Sequence, residues 1–219
     1  MDKRQLIVTG ALDKKANIPW YLTGGIAAAN CVVAYKPKGA ADIAASYVNL
    51  NNPGTNNATP VTPPTWDATN GWIFLAASSQ YLTCGFTPDA TYTTIVRYTG
   101  IPTIGGNFVI FGAQTGTGNS YQMWPYLSNK AYFRNGGSFN TDVGYPNWVL
   151  GMAGQKACVN GAYAGDITTG VSTFAVMTIG RFGSNSQYYL TGNIQAFVAY
   201  NITITEPQLA AVTAAMVAL

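Results

Sequence analysis

Short runs of apolar and β-branched residues, separated by turn residues, make up most of the chain after residue 71. Runs of this length, bounded by Gly, Pro, Asn and Asp, are typical of β-strands. The predicted strands cover residues 71–75, 80–84, 92–98, 107–112, 121–126, 131–134, 148–152, 156–159, 175–179 and 192–200, with an earlier strand at residues 31–35. Closely spaced strands without alternating helices predict an antiparallel β-sandwich or barrel and disfavour a parallel sheet.

The clearest helical signal closes the sequence, over residues 205–219. Thr205 can act as an N-cap, and Gln208, three residues later, completes a capping box. Pro207 is tolerated because it falls in the first turn. The apolar residues that share one face of this helix are Leu209, Val212, Met216 and Leu219. A stripe of this kind should pack against the sandwich.

Two segments ahead of the strand-rich region give weaker signals. Ile43 and Tyr47 lie four residues apart among good helix formers, which predicts a short helix within residues 40–48. Residues 51–65 contain four prolines, so this stretch is predicted as an ordered surface loop.

The first 25 residues are predicted as an arm that precedes a domain of residues 26–219. They combine an excess of basic residues with Pro19 and the pair Gly24-Gly25. Their apolar side chains would be left partly exposed in an isolated domain, and exposed apolar patches usually mark a partner surface. The predicted docking residues of the arm are Leu6, Ile7, Val8, Trp20 and Tyr21.

Composition narrows the classes of protein that fit this pattern. Charged residues make up 9% of the 219 residues, whereas about 25% is usual, and hydrophobic residues make up 48%. No apolar run reaches the roughly 18 residues of a membrane span, so membrane insertion is not expected. The net charge of +3 comes from separated basic pairs within residues 1–38, which does not fit the dense basic stripe of a nucleic-acid-binding protein.

The three cysteines, Cys31, Cys84 and Cys158, lie far apart and have no CxxC spacing. An odd number of widely spaced cysteines predicts buried free thiols, with neither a zinc site nor a disulfide framework. The N-terminal apolar run is too short for a signal peptide, so the chain is expected to fold in the cytoplasm.

Four segments, in this order, resemble the laminin-G-like, concanavalin-A-like lectin/glucanase jelly roll as it occurs in bacteriophage proteins. They are residues 71–74 (GWIF) with 79–82 (SQYL), residues 92–98 (YTTIVRY), residues 157–161 (ACVNG), and residues 178–208, which include GNIQAFVAYN. The resemblance implies an all-β antiparallel jelly-roll sandwich with a short internal helix and a C-terminal helix. It carries a fold signature and does not by itself define an activity.

Known catalytic arrangements are hard to build from this composition. Retaining glycoside hydrolysis needs a pair of carboxylates about 5 Å apart, and the chain has a single glutamate, Glu206, at the predicted helix cap. The absence of histidine excludes Ser/His and Cys/His nucleophiles. A lyase-like trio of Tyr121, Gln122 and Arg134 stays open as an alternative. The sequence therefore predicts a protein that is not an enzyme.

Calcium, the usual metal of laminin-G and lectin sandwiches, wants several oxygen ligands. The candidate carboxylates are Asp67, Asp89, Asp142 and Asp166. All are predicted in turns, where Asp is expected for backbone reasons, and no Asp-x-Asp cluster occurs. No cofactor is predicted, and a bound calcium remains the alternative.

Aromatic residues crowd the middle of the chain and are the candidate ligand-binding groups: Tyr121, Trp124, Tyr126, Tyr132, Tyr145 and Trp148. Sugar rings stack on exposed aromatic faces, whereas the competing interpretation is that these residues face the core or a protein interface.

The leading hypothesis is a non-enzymatic virion structural protein, either a phage tail-fibre or receptor-binding module or a capsid decoration protein. Its expected partners are other virion proteins or copies of itself in a homo-oligomer, and a cell-surface glycan. The alternative is a carbohydrate-binding module that acts outside a virion.

Overall fold

The computed structural model describes residues 18–102, 106–115, 120–128, 130–142, 148–170, 174–183 and 188–219. These residues form a β-sandwich of two antiparallel sheets with a short internal helix and a C-terminal helix, which confirms the predicted fold class. Helix α1 covers Ile43–Ser46 and helix α2 covers Glu206–Val217. No described helix is long and apolar enough to cross a membrane.

The strands of the described residues are β1 (Cys31–Tyr35), β2 (Thr59–Thr62), β3 (Thr65–Asp67), β4 (Gly71–Phe74), β5 (Tyr81–Thr83), β6 (Thr93–Thr99), β7 (Phe111–Gln114), β8 (Ser120–Leu127), β9 (Lys130–Asn135), β10 (Gly137–Thr141), β11 (Trp148–Ala153), β12 (Lys156–Val159), β13 (Ala162–Asp166), β14 (Thr178–Ile179) and β15 (Gly192–Tyr200). Sheet I has the order β13-β12-β11-β6-β15-β4-β3, and β1 also pairs with β15. Sheet II has the order β10-β9-β8-β7-β14-β5-β2.

The main core lies between the two sheets. Side chains on a strand point alternately to opposite faces, so every second residue of each strand enters this layer. Sheet I contributes Trp72, Tyr98 and Phe197, and sheet II contributes Phe111 and Phe133, all fully buried in one cluster. The ring centroids of Phe111 and Phe197 lie 5.8 Å apart, edge to face, so the two sheets are joined by direct aromatic contact.

A second apolar cluster covers the outer face of sheet I. Helix α2 buries Leu209, Val212 and Met216 there, as the sequence predicted. The capping box of Thr205 and Gln208 is also present, with both reciprocal hydrogen bonds. The strand residues under this helix include Ile95 and Val198, and both are fully buried.

The second apolar cluster contains residues from both sides of the predicted boundary between arm and domain at residue 25. A short 3₁₀ turn at Trp20–Leu22 packs against α2, and the Tyr21 side chain is buried. The Tyr200 hydroxyl donates to the Tyr21 carbonyl over 2.6 Å, and the Tyr21 hydroxyl donates to the Leu50 carbonyl over 3.0 Å. The expectation that these arm residues are left exposed is therefore corrected for Tyr21, because the domain's own helix and strand cover it.

The proline-rich segment is more ordered than its composition suggested. Residues 51–65 were predicted as loop, yet β2 and the first residue of β3 lie within them. Pro60 lacks an N–H group, but β2 is an edge strand of sheet II and pairs only with β5, so no second partner is lost. The edge strands β10 and β13 were also missed because they are rich in Gly, Ser, Asn and Ala.

The described cysteines are all free and buried, as predicted for core thiols. Cys84 lies in the core between the sheets, whereas Cys31 and Cys158 lie under α2. Burial raises the pKa of each thiol to about 12.

Candidate functional site

Three of the predicted ligand-binding residues, Tyr121, Trp124 and Tyr126, lie in strand β8. Because side chains alternate between the two faces of a strand, these residues do not all face the same way. Tyr121 and Met123 point into the core, and both are fully buried. Gln122 and Trp124 occupy the alternate positions and therefore face outward from sheet II. The prediction that Tyr121 contacts ligand is wrong: its hydroxyl lies 3.0 Å from Thr94 Oγ1 inside the sandwich, and burial raises its pKa.

The same alternation removes the lyase-like alternative. Gln122 pairs in register with Arg134 of β9, so these two residues share the outer face. Tyr121 lies on the opposite face of the strand, in the core cluster. A base and its neighbours must reach the same substrate atom. This trio therefore does not assemble into one site.

An aromatic patch, formed by Trp124, Tyr132, Phe182 and Tyr188, lies on the outer face of sheet II. Trp124 pairs in register with Tyr132 of β9. The Trp124 ring centroid lies 5.4 Å from that of Phe182 and 5.1 Å from that of Tyr188. Trp124 and Phe182 are buried, whereas Tyr188 is 41% exposed, so the patch has a covered floor and an accessible rim.

The segment that supplies Phe182 and Tyr188 is fixed against β7. Arg181 and Tyr189 form an antiparallel bridge, which brings the chain before residue 184 next to the chain after residue 187. A Cβ atom on Gly112 would lie 2.7 Å from the Gly183 nitrogen, which shows why glycine is required at this crossing. Thr178 Oγ1 lies 2.8 Å from the Gly112 carbonyl and 3.0 Å from the Arg181 carbonyl, joining β7 to the crossing segment.

Polar groups without protein partners lie beside the aromatic patch. Trp124 Nε1, Gln122 Oε1 and Arg181 Nε are each buried and make no hydrogen bond in the described structure. The guanidinium of Arg181 lies 3.8 Å from the centre of the Tyr81 ring, which orients it over this face. Buried polar groups are normally paired, so groups without a described partner make this face a candidate ligand site.

The remaining predicted ligand-binding residues fall in different places. Tyr126 packs in the main core, which corrects its assignment as a ligand-contacting residue. Tyr132 is half-buried and belongs to the aromatic patch. Trp148 begins β11 in sheet I and lines a cleft on the other side of the molecule. Tyr145 lies outside the described residues.

The predicted docking residues are divided in the same way. Leu6, Ile7 and Val8 lie outside the described residues. Tyr21 is buried as described above, and Trp20 is half-buried, packing against the same cluster.

Sequence reasoning did not single out Gln122, Arg181, Phe182 and Tyr188 as candidate ligand-binding residues. The signal lies in the aromatics and the arginine that flank Gly183 and the polar residues 184–187. The sequence does not say which face of the sandwich Arg181, Phe182 and Gly183 pack against. The contact of Gly183 with Gly112 supplies that information.

The turn carboxylates act on their own backbone. Asp67 Oδ1 accepts from the Thr69 and Asn70 amides at 2.8 and 2.7 Å. The hydrogen bond from the Asn70 side chain, together with these backbone bonds, lowers the pKa of Asp67. Asp89 Oδ1 accepts from the Thr91 amide at 2.7 Å. Within the described ranges, no three His, Cys, Asp or Glu side chains are grouped as metal ligands.

Several solved structures share this architecture. A sialidase from Trypanosoma rangeli in complex with sialic acid aligns with a TM-score of 0.58 at 16% identity, covering 84% of this chain and 33% of the sialidase. Domain 4 of a GH43 extracellular arabinanase from Geobacillus stearothermophilus, in complex with arabinotriose, aligns with a TM-score of 0.58 at 11% identity, covering 84% and 98%. Botulinum neurotoxin type C, described as interacting with two ganglioside molecules, aligns with a TM-score of 0.60 at 9% identity, covering 86% and 52%.

These likenesses show the class of fold, a sandwich of two antiparallel β-sheets. The chain spans about a third of the sialidase that it matches. No protein-family model and no curated protein matches this sequence.

Proposed function

We propose that this chain is a carbohydrate-binding module and that the aromatic patch on sheet II is its glycan-binding face. The observation that carries the proposal is the exposed Tyr188 ring packed on Trp124, whose Nε1 atom, like Gln122 Oε1 on the same strand, is buried and has no hydrogen-bond partner among the described residues. A sugar presents an apolar ring face that stacks on aromatic side chains and hydroxyl groups that donate and accept hydrogen bonds. The patch offers both kinds of contact on one surface.

The structural neighbours support the same class of ligand. Three sandwiches of related architecture come from proteins described with sialic acid, arabinotriose or gangliosides. Their low identity means that they support the class and do not identify the sugar.

The proposed module is not an enzyme. Its glutamate, Glu206, begins α2 and pairs with Lys156 at 2.6 Å, on the helix-covered side of the sandwich. The aromatic patch contributes no carboxylate of its own. Glycoside hydrolysis by paired carboxylates therefore has no candidate pair at the proposed binding face.

A location on a virion, as a tail-fibre, receptor-binding or decoration module, is the finer part of the proposal. Its support is the resemblance of the strand motifs to sandwich domains of bacteriophage proteins. Mass spectrometry of purified particles tests it: the chain should copurify with particles through a density gradient, and its absence from them would leave the module acting elsewhere.

The binding face is tested with a glycan array that includes arabinotriose and sialic acid, followed by calorimetry on the glycans retained. The informative variant is Tyr188→Asn, because asparagine tolerates the positive φ of 61° at this position. Losing one stacked ring should weaken binding about tenfold, which corresponds to about 1.4 kcal/mol. Tyr163→Asn is the matched control, since Tyr163 is similarly exposed at 47% but lies on sheet I.

Equal binding by wild type and Tyr188→Asn, for a glycan that both retain, would remove the aromatic patch from the proposal. No retention of any glycan on the array would remove the function itself.

A further inference from the structure

A separate cleft lies on the outer side of sheet I, where helix α2 ends and its cover stops. Its volume is about 290 Å³, and its lining includes Arg97, Trp148, Asn160, Gln195 and Val217. This volume is at the lower end of the range for ligand pockets, about 300–1,000 Å³. The cleft is therefore large enough for one sugar ring and too small for a chain of them.

Gln195 enters this cleft through an irregularity in β15. The register between β15 and β6 shifts between Ile194, opposite Tyr98, and Ala196, opposite Arg97, so Gln195 is the extra residue of a β-bulge. Bulges re-aim side chains and occur next to functional sites. Gln195 is 7% exposed, and its Oε1 atom is buried without a hydrogen-bond partner. The bulge thus holds a buried acceptor that the described protein does not satisfy.

The packing around the bulge is tight, so Gln195 is held in place. The Lys38 amide donates to the Gln195 carbonyl over 3.2 Å. A Cβ atom on Gly71 would lie 3.3 Å from the Gln195 Cα atom and would clash with the Ile194 carbonyl, so glycine is required behind the bulge. A fixed backbone keeps the open acceptor aimed at one position.

Arg97 supplies the charge of the cleft. Its Nη1 atom donates to the carbonyls of Met216 and Val217 at 2.8 and 3.0 Å, at the end of α2. This contact satisfies carbonyls that a helix end leaves open. Both of these hydrogen bonds use Nη1 of the guanidinium, which leaves the Nε and Nη2 edge outside this contact. The fork of an arginine can bind a carboxylate through two parallel hydrogen bonds.

The neighbourhood of Arg97 is positive. Burial, and then the nearby charges of Arg97 and Lys36, lower the pKa of Lys38. The ion pairs of the described residues, Lys130–Asp142 and Lys156–Glu206, involve none of these three cations. Clustered cations without an acidic partner favour an anionic ligand.

We propose that this cleft binds an acidic monosaccharide, with the sugar carboxylate on Arg97 and a sugar hydroxyl donating to Gln195 Oε1. Trp148, one of the aromatic residues that the sequence suggested for ligand binding, lines the cleft beside them. The proposal is independent of the aromatic patch, which lies on the opposite sheet.

The test is a ¹⁵N NMR titration of the full chain with glucuronate and N-acetylneuraminate, two sources of a sugar carboxylate, and with glucose and sulfate as comparisons. Saturable shifts of the Trp148 and Gln195 side-chain signals with either acidic sugar support the proposal. An equal response to glucose would contradict the proposal that the ligand must carry a negative charge. An equal response to sulfate would contradict the proposal that the ligand is a sugar. No saturable shift of these signals with either acid would overturn the site.

The key variant is Gln195→Leu, because leucine replaces an acceptor that has no partner among the described residues. This variant should leave the melting temperature unchanged or raise it, and it should lower the affinity for the acidic sugar about tenfold. Arg97→Lys keeps a charge that can reach the helix carbonyls but loses the fork, so it should weaken binding by about the same factor. Lys130→Gln, which removes a charge on sheet II, is the control and should bind as wild type does.

Binding that survives both Gln195→Leu and Arg97→Lys would contradict the proposed contacts. Tyr188→Asn should leave this titration unchanged, so the two binding proposals fail independently.

Discussion

The outer faces of the two sheets differ in what packs against them. On sheet I, helix α2 and the turn at Trp20–Leu22 cover apolar strand residues such as Ile95 and Val198, which become a second core. On sheet II, the outward positions of β8 carry Gln122 and Trp124, which are buried, but the Tyr188 ring that packs on Trp124 is 41% exposed. The outer face of sheet I therefore stabilises the fold, whereas the outer face of sheet II presents an exposed aromatic ring, which is why it is the face that we propose for ligand binding.

The largest difference between the faces should appear when a charge is placed on each. Val212→Asp puts a carboxylate into the fully buried cluster under α2, and we expect a loss of about 3–5 kcal/mol or failure to fold. Tyr188→Asp alters the exposed rim of the aromatic patch and should cost less than about 1 kcal/mol. Urea denaturation of both variants measures the contrast. Equal losses would mean that the aromatic patch is a structural core.

Tyr21→Ala should have the next largest effect. It removes a buried ring from the cluster under α2 together with its hydrogen bond to the Leu50 carbonyl, at an expected cost of about 2–4 kcal/mol. Ile18→Ala, three residues earlier at a position 60% exposed, is the control and should change the unfolding free energy little. If Tyr21→Ala unfolded at the wild-type midpoint, residues 20–22 would belong to a dispensable arm as first predicted.

The buried thiols should make stability fall at high pH. Each has a folded-state pKa of about 12, above the ordinary value of 9.0, because burial disfavours the thiolate. The stabilisation is therefore complete below about pH 9 and is lost as the pH rises towards about 12. Thermal melts from pH 7 to pH 11 should show a plateau followed by a decline. A melting temperature that rises above pH 9 would contradict the buried positions of the thiols.

The smallest effect should come from the ion pair at the start of α2. Lys156 Nζ lies 2.6 Å from Glu206 Oε1, and the hydrogen bond to Glu206 raises the pKa of Lys156, yet both side chains are about half exposed. Exposed ion pairs contribute little because water and salt screen them. Glu206→Gln should leave the melting temperature within experimental error. A clear drop would show that the pair anchors α2.

Much of the sandwich could be predicted from sequence because its physical signals are local. The β15 strand was predicted at residues 192–200, with the observed bounds, since its apolar run is long and ends in turn residues. The α2 cap was predicted from Thr205 and Gln208, whose hydrogen bonds depend only on neighbouring backbone. The edge strand with Pro60 was missed because an unpaired edge tolerates residues that interior strands exclude.

The candidate sites were harder to predict because they depend on contacts between distant segments. Aromatic crowding singled out Trp124 and Tyr132 of the aromatic patch, but it could not separate them from Tyr121 and Tyr126, which face the core. Gln195 carries no sequence signal at all, since its exposure to the cleft depends on a register shift against β6.

The central claim, that sheet II presents the glycan-binding face, is tested most directly with the indole signals of the five tryptophans. The chain is titrated first with arabinotriose and then with the glycan that the array retains most strongly, while ¹⁵N-labelled indole groups are followed by NMR. Trp124 Nε1 has no acceptor among the described residues, so its signal should shift and saturate as glycan binds. Trp72 donates to Ser46 Oγ over 2.8 Å inside the sandwich, so its signal should stay in place. A glycan that binds while the Trp124 signal remains unchanged would contradict the account.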